Sequence, residues 1–353
     1  MRICYSPSHQ RHATTPLSIH GQTFAEVPER AEIILRAVRA ASLGPVHPPT
    51  DHSLDPIHAV HPPDYITFLQ TIYAESLPVR HQPVPGAPFL ADTFAPRTPR
   101  RPAHHPWAKI GYYAFDVETP FLEGTWEAAY WSAQAALTAA DWILSGERAA
   151  YALCRPPGHH ALADQCGGYC YLNNAAIAAR YLQHSPLPAG DGSGVGERIA
   201  ILDIDYHHGN GTQEIFYADP TALYVSLHAH PDIEYPFFWG GAEERGEGPG
   251  AGYNLNLPLP KGTTDDEYMA ALDQALAAIG EYAPRCLIVS AGFDIAAGDP
   301  VNINAGFAVT RAGFQRIGQR IATLDIPKLI IQEGGYGLEP LGGNAVAFLQ
   351  AFV

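Results

Sequence analysis

Cysteine is scarce in this chain, which has five cysteines among 353 residues, an odd number at irregular spacing. This scarcity argues against a disulfide framework and favours a reducing compartment. Cys166 and Cys170 are separated by three residues and no second pair follows, so they do not match the cysteine pairs of a structural zinc site. We therefore predict that these two are buried structural thiols.

Basic residues and long apolar runs are also in short supply. The chain has 21 Lys and Arg against 36 Asp and Glu, a net charge of −15, which disfavours a nucleic-acid partner and suits a cationic ligand. No apolar run approaches the ~20 residues that cross a bilayer, and residues 1–10 lack the basic and apolar regions of an export signal. The sequence thus predicts a cytoplasmic protein that binds neither nucleic acid nor membrane.

Short apolar runs that are typical of buried parallel strands alternate with segments of helical periodicity. The predicted strands are 150–154, 199–204, 223–227, 287–290 and 329–332. The predicted helices are 126–144, 173–182, 265–279, 311–324 and 341–352. The alternation predicts an α/β fold with a doubly wound, mainly parallel sheet and helices on both faces.

Two stretches fall outside this alternation, and neither marks a domain boundary. Residues 185–197 are rich in Gly, Pro and Ser and predict a flexible surface connection. A Pro- and His-rich stretch at about 77–106 is longer than an ordinary connector, which is typical of a functional lid or an interface arm. We therefore predict a single domain over residues 1–353 with a long loop insertion.

Polar residues follow the predicted strands, at the sheet edge where ligands bind in such folds. Asp205 and His207 are two apart, so on an extended strand end both side chains point the same way. Asp294 follows the predicted strand 287–290 and supplies a third ligand, which leaves one position open, as in catalytic zinc sites. The donor set favours zinc, with ferrous iron as the alternative. Taken singly, each Asp is more often a cap or turn residue.

The pair His159 and His160 and the phenol of Tyr336 complete a hydrolytic set at the same edge. The pair follows two prolines and a glycine, and one imidazole can accept a proton from an attacking water at neutral pH. Asp203 and Asn210 are the candidates to orient the two rings. Tyr336 lies in a Gly-rich turn whose flexibility would let the phenol approach a substrate carbonyl and stabilise its developing charge.

Several motifs resemble the histone deacetylase superfamily across nearly the whole chain. They are RPPGHHA, GGYCYLNN, ILDIDYHHGNGTQEIFY, SAGFDIAAGDP and EGGYG. Within it, IGYY, ETPFLEGTWEAA and CRPPGHH look most like the bacterial acetylpolyamine amidohydrolases. The resemblance implies the arginase/deacetylase fold and a zinc-dependent removal of acetyl groups from amines. It also implies a homodimer in which the long early loop narrows the partner's channel.

The resemblance also assigns roles to single residues. It makes Asp205, His207 and Asp294 the zinc ligands, Tyr336 the carbonyl-polarising phenol and His160 the general base and acid, with Asp203 orienting His159 and Asn210 partnering His160. It implies a structural potassium ion at Asp203, Asp205, His207, Ser226 and Leu227. It makes Gly168 the acceptor of the substrate amide, and Tyr169 and Tyr235 the aromatic walls of the channel.

The substrate is the point at which the resemblance leaves alternatives open. Glu118 matches an acidic residue near the channel mouth that would meet a distal ammonium. Val301 stands where the vertebrate polyamine deacetylase has a Glu gatekeeper, and Trp107 occupies the approximate place of a second acidic residue. We therefore expect a small cationic acetylated amine, most of all an acetylpolyamine. A protein lysine deacetylase and a non-catalytic acyl-amine binding relative are the alternatives.

Overall fold

The computed structural model describes residues 1–15, 18–19, 22–79, 87–95, 103–185, 198–302 and 306–353. Most of the predicted surface connection at 185–197 lies outside the described residues. The same is true of 80–86 and 96–102 in the predicted loop insertion at about 77–106.

The strands of the described part form one large sheet and a small antiparallel pair, β2–β3. They are β1 Arg2–Tyr5, β2 Ser18–Ile19, β3 Gln22–Thr23, β4 Val46–His47, β5 Ala149–Leu153, β6 Ile199–Asp203, β7 Ala222–Ala229, β8 Asn254–Leu259, β9 Cys286–Ala291 and β10 Lys328–Gln332. The large sheet has eight strands in the order β4-β1-β5-β10-β9-β6-β7-β8, and every neighbouring pair is parallel.

Helices cover both faces of this sheet. They are α1 Glu29–Ala40, α2 Asp55–His58, α3 Pro63–Ser76, α4 Pro106–Tyr113, α5 Thr125–Leu144, α6 Asn174–His184, α7 Asn210–Phe216, α8 Asp265–Tyr282, α9 Arg311–Ala322 and α10 Leu338–Leu349. Short 3-10 turns cover Pro7–Arg11, Leu77–Val79, Gly248–Gly250 and Gln350–Phe352. Helices α1, α8, α9 and α10 bury their apolar sides on one face, and α5 and α6 on the other. The predicted doubly wound α/β fold is confirmed.

The five predicted strands form the middle of the sheet, where both faces are buried and most of the sequence is apolar. Strands β1, β4 and β8 extend this core towards the two edges. The last predicted helix is shifted, because α10 spans Leu338–Leu349 and a 3-10 turn follows it.

The described part of the early loop packs on a separate small core. Phe89 and Phe121 exchange backbone hydrogen bonds of 2.9 and 2.8 Å, and both rings are buried with side chains of α3 and α4. These contacts bring the loop against the segment that leads into α5. The described part of the loop therefore lies next to Phe121, three residues after Glu118.

All five cysteines are buried and unpaired, so the prediction for Cys166 and Cys170 is confirmed. Among the described helices, none combines the length and the hydropathy that a membrane span requires.

Candidate active site

Four neighbouring strands of the sheet deliver polar side chains to its carboxyl edge. In sequence order these are His159 and His160 after β5, Asp205 and His207 after β6, Asp294 after β9, and Tyr336 after β10. Parallel strands end at a common edge, so residues far apart in sequence meet there.

Asp205, His207 and Asp294 form the candidate metal site. One ligand atom of each lies within 4.8 Å of the others, and all three residues are buried. His207 Nδ1 lies 3.3 Å from Asp205 Oδ1 and 3.2 Å from Asp294 Oδ2. Two carboxylates and one neutral imidazole would balance the charge of a dication, so this donor set suits a divalent metal ion.

The surrounding backbone holds both carboxylates in place. Gly334 N–H donates to Asp205 Oδ2 at 2.8 Å, and Tyr206 N–H donates to Asp294 Oδ1 at 3.0 Å. A Cβ atom on Gly334 would collide with both carboxylates. Burial and the neighbouring Asp205 carboxylate raise the pKa of Asp294 to about 7. A divalent cation would relieve this repulsion, so the residues present fit a metal ion.

The two predicted catalytic imidazoles stand side by side next to the metal site, with ring centroids 4.0 Å apart. His160 Nδ1 lies 2.7 Å from Asn210 Oδ1, and His159 Nδ1 lies 3.0 Å from Asp203 Oδ2. Because these oxygens accept, both Nδ1 atoms donate, and in neutral His160 the Nε2 atom keeps its lone pair. The structure therefore pairs each imidazole with the partner that the sequence predicts.

The surroundings give the two imidazoles opposite proton affinities. Burial opposes charge on His159, but the carboxylates of Asp205 and Asp203 outweigh it and raise the pKa of His159 to about 10. Burial, together with the charge of His159, holds the pKa of His160 well below its usual range. His160 is therefore the neutral imidazole of the pair at neutral pH, and its Nε2 lone pair is free.

The predicted potassium contacts come from the end of β6 and from the adjacent strand β7. Asp203 is paired in register with Ser226, and its Oδ1 accepts a hydrogen bond of 3.2 Å from Asp205 N–H. Asp203 Oδ2 also accepts a bond of 3.0 Å from the Tyr224 hydroxyl. Ser226 Oγ lies 2.8 Å from His228 Nδ1. The Asp203 carboxylate therefore accepts hydrogen bonds from His159, from the Asp205 backbone and from Tyr224 of β7.

Tyr336 lies in a turn that is anchored rather than flexible. Asp299 Oδ2 accepts from the N–H groups of Tyr336 and Gly337, at 2.8 and 2.9 Å. The Arg30 guanidinium covers the phenol ring at 4.4 Å from its centroid. Burial raises the pKa of Tyr336 well above its usual range, so its hydroxyl keeps its proton and can donate it. The sequence predicts a flexible turn, whereas in the structure these contacts hold both the backbone and the ring of Tyr336.

A cavity of about 700 Å³ leads to these groups. Its lining comprises Thr23, Phe24, Ala25, Glu118, His160, Gly168, Tyr169, His207, Glu234, Tyr235, Phe237, Pro300, Val301, Asn302 and Tyr336. All four predicted substrate-binding residues are among them. The Tyr169 ring lies 5.6 Å from the Tyr336 ring, and the Tyr235 ring lies 4.9 Å from the His160 ring.

The chain matches the histone deacetylase domain over residues 24–352. The chain belongs to the histone deacetylase family. It is 44% identical to acetylpolyamine amidohydrolase 1 of Pseudomonas aeruginosa, over 100% of this chain and 99% of that one. It is 39% identical to the acetylpolyamine amidohydrolase of Mycoplana ramosa, over 99% of both chains. The crystal structure of the acetylpolyamine aminohydrolase from Burkholderia pseudomallei superposes with a TM-score of 0.89 at 41% identity, over 100% and 98% of the two chains.

Asp116 holds residues that line the channel of this deacetylase, and the motifs did not single it out. Its Oδ2 accepts hydrogen bonds from the Tyr235 hydroxyl at 2.6 Å and from Gly168 N–H at 2.7 Å. Its Oδ1 accepts from Glu118 N–H at 3.0 Å. One carboxylate therefore joins three of the predicted substrate-binding residues. The only signal in the sequence is its place two residues before Glu118.

A buried charge network behind Tyr336 also escaped sequence reasoning. Glu26 Oε1 accepts from Arg30 Nη1 at 3.0 Å and from Arg155 Nε at 2.7 Å. Arg30 donates further to the carbonyl oxygens of Glu333 at 2.7 Å and Gly335 at 2.6 Å. The network connects the first helix of this deacetylase to the turn of Tyr336. No motif marks residues that are about 300 positions apart in sequence.

Proposed function

We propose that the protein is a zinc-dependent amidohydrolase that removes the acetyl group from acetylpolyamines. The observation that carries this proposal is that three groups meet at the base of one cavity. They are the three candidate metal ligands, the imidazole pair and the phenol of Tyr336. The acetylpolyamine amidohydrolases to which the chain is similar along its whole length support the substrate class.

Asp205, His207 and Asp294 would hold the metal, with zinc as the proposed ion and ferrous iron as the alternative. When bound, the ion supplies Lewis acidity towards the acetyl carbonyl and towards water. The three side chains balance its charge and keep it at the cavity floor. The remaining steps belong to the imidazole pair and the phenol.

His160 is the proposed general base and acid. Its Nε2 would take a proton from the attacking water and later deliver it to the leaving amine nitrogen. His159, held by Asp203, would place positive charge beside the reacting atoms. The Tyr336 hydroxyl would donate to the acetyl oxygen as negative charge develops there. Asn210 fixes the His160 tautomer that makes Nε2 available.

The cavity walls would select the substrate. The Gly168 carbonyl is the proposed acceptor for the amide N–H, and Tyr169 and Tyr235 would flank the methylene chain. Glu118 would attract the distal ammonium of an acetylpolyamine, and the net charge of −15 would favour approach of a cation. Val301 adds an apolar contact to this wall and no charge.

We also propose a potassium ion at Asp203, Asp205, His207, Ser226 and Leu227, where carboxylate, hydroxyl and carbonyl oxygens meet at the strand ends. The whole chain would form one catalytic domain and act as a homodimer in the cytoplasm. Phe237 and Phe238, 47% and 80% exposed, offer an apolar surface near the cavity that a second copy could cover. The buried, unpaired thiols suit a reducing compartment.

The test is an assay of metal-free protein reloaded with stoichiometric zinc or ferrous iron. Acetylputrescine, acetylspermidine and an acetyl-lysine peptide are compared by kcat/KM. We expect hydrolysis of the acetylpolyamines with the highest kcat/KM, and only after metal is restored. Preference for the peptide would identify a protein lysine deacetylase instead. Binding of acetylated amines without turnover would identify a non-catalytic relative.

A further inference from the structure

Glu333, the residue that follows β10, extends its side chain to the turn that carries the imidazole pair. The residue is completely buried. Its Oε2 accepts hydrogen bonds from Gly158 N–H at 2.6 Å and from His159 N–H at 3.2 Å. Its Oε1 accepts a weaker bond of 3.3 Å from the Ser290 hydroxyl. One carboxylate oxygen therefore takes two successive backbone donors next to the catalytic rings.

The turn offers few other ways to fix its backbone. Pro156 and Pro157 carry no N–H, so the first two donors after Arg155 are those of Gly158 and His159. Gly158 packs so closely on the chain at Asn174 that a Cβ atom would lie 2.5 Å from Asn174 N. A buried N–H group without an acceptor is costly, so both donors need Glu333 or a substitute.

Glu333 also joins the turn of the imidazole pair to the turn of the phenol. The Arg30 guanidinium donates to the carbonyl of Glu333 at 2.7 Å and to that of Gly335 at 2.6 Å, and it covers the Tyr336 ring. The Glu333 backbone is thus held by the phenol side of the site, while its side chain holds the imidazole side.

We propose that Glu333 is a positioning residue, whose Oε2 atom sets the backbone of Gly158 and His159 so that the imidazole pair faces the metal ligands. This inference rests on the proposed function, because the imidazole pair is the group that moves protons there. Acceptance of two N–H bonds needs an oxygen at the correct reach and does not need a negative charge.

Two substitutions distinguish the effect of the length of the Glu333 side chain from the effect of its negative charge. Glu333→Asp keeps the carboxylate but withdraws it by about 1.5 Å, one carbon–carbon bond. Glu333→Gln keeps an oxygen at the original reach and removes the charge, and its NH2 group can donate to Ser290 Oγ. We expect Glu333→Asp to lower kcat about 10²-fold with KM little changed, as for a misplaced catalytic group. Glu333→Gln should retain a kcat at least tenfold above that of Glu333→Asp.

Ser290→Ala is the matched control, because it removes only the contact to Oε1 and should leave kcat at the wild-type value. Zinc content and thermal unfolding are measured for all variants, so that a folding defect is recognised. Glu333→Gln keeps the test decisive if Glu333→Asp does not fold.

Backbone amide exchange gives a second readout that does not depend on activity. A fragment spanning residues 155–160 reports only on Gly158, His159 and His160, because the two prolines have no N–H and its first residue is not measured. We expect faster exchange in Glu333→Asp and wild-type protection in Glu333→Gln and Ser290→Ala.

The inference is overturned if Glu333→Asp keeps wild-type kcat and protection. It is also overturned if Glu333→Gln loses as much kcat as Glu333→Asp, which would assign the effect to charge. Failure of zinc-loaded wild-type protein to hydrolyse any acetylated amine would refute the proposed function instead. The exchange comparison would still stand in that case.

Discussion

Replacement of Tyr336 by Phe removes a single oxygen atom from the base of the cavity and leaves the rest of the turn in place. The ring keeps its contacts with Arg30, at 4.4 Å, and with Tyr169, at 5.6 Å. The turn is anchored through backbone N–H groups to Asp299, which the substitution does not touch. The variant should therefore fold and bind zinc as the wild type does.

The expected loss is confined to the chemical step. The Tyr336 hydroxyl is protonated at neutral pH, because burial raises its pKa, so it acts as a hydrogen-bond donor. Loss of one donor to a developing oxyanion costs about 10² to 10³ in kcat, or ~2.7–4 kcal/mol. Substrate affinity depends mainly on the channel walls, so KM should change much less. The free energy of unfolding should change by about 1 kcal/mol or less.

The assay is steady-state hydrolysis of acetylputrescine, with zinc content and melting temperature measured on the same samples. Tyr268→Phe is a suitable control, since Tyr268 is also buried and its hydroxyl donates to the Ile204 carbonyl at 3.3 Å, within the core. This control should lose some stability and keep its kcat. An unchanged kcat in Tyr336→Phe would refute the role of the phenol. A loss of zinc or of folding would assign Tyr336 to architecture.

Three further predictions concern the metal site and the channel. Asp205→Ala or His207→Ala should abolish both zinc binding and hydrolysis, and stoichiometric zinc with full activity in either variant would contradict the ligand assignment. Glu118→Gln should lower kcat/KM for acetylpolyamines but not for a neutral acetyl-amide of equal length, whereas an equal loss on both would make Glu118 structural. Asp116→Ala and Tyr235→Phe should each raise KM, and the double variant should show a coupling energy of about 0.5–3 kcal/mol, because the two side chains share one hydrogen bond. Additive effects would exclude that coupling.

The site residues that the sequence predicts are those that lie a few positions after the end of a strand. Asp205 and His207 follow β6 within four residues, and Tyr336 follows β10 within four, so the alternation of strands and helices was enough to bring them to one edge. The middle strands were predictable for a related reason. Their two buried faces require mainly apolar runs, which stand out in the sequence.

The residues that sequence reasoning missed act through contacts between distant segments. Arg30 reaches the carbonyl of Gly335 across 305 positions, and Glu333 reaches Gly158 across 175. Such pairs have no characteristic spacing, because the packing of α1 and β10 sets their distance. The anchoring of the Tyr336 turn by Asp299 was missed for the same reason. A Gly-rich sequence indicates flexibility unless a distant carboxylate occupies its donors.

The order of the strands has a consequence for how the protein is made. β5 is joined only to β1 and β10, and β9 only to β6 and β10, so Lys328–Gln332 is the seam between two half-sheets. This seam leaves the ribosome after every other strand of the large sheet, because it follows them all in the chain. Until it does, the half-sheet of His159 and the half-sheet of Asp205 each expose an unpaired edge, which is where mispairing begins. The catalytic centre therefore cannot assemble before Lys328–Gln332 has been synthesised and has paired with both half-sheets.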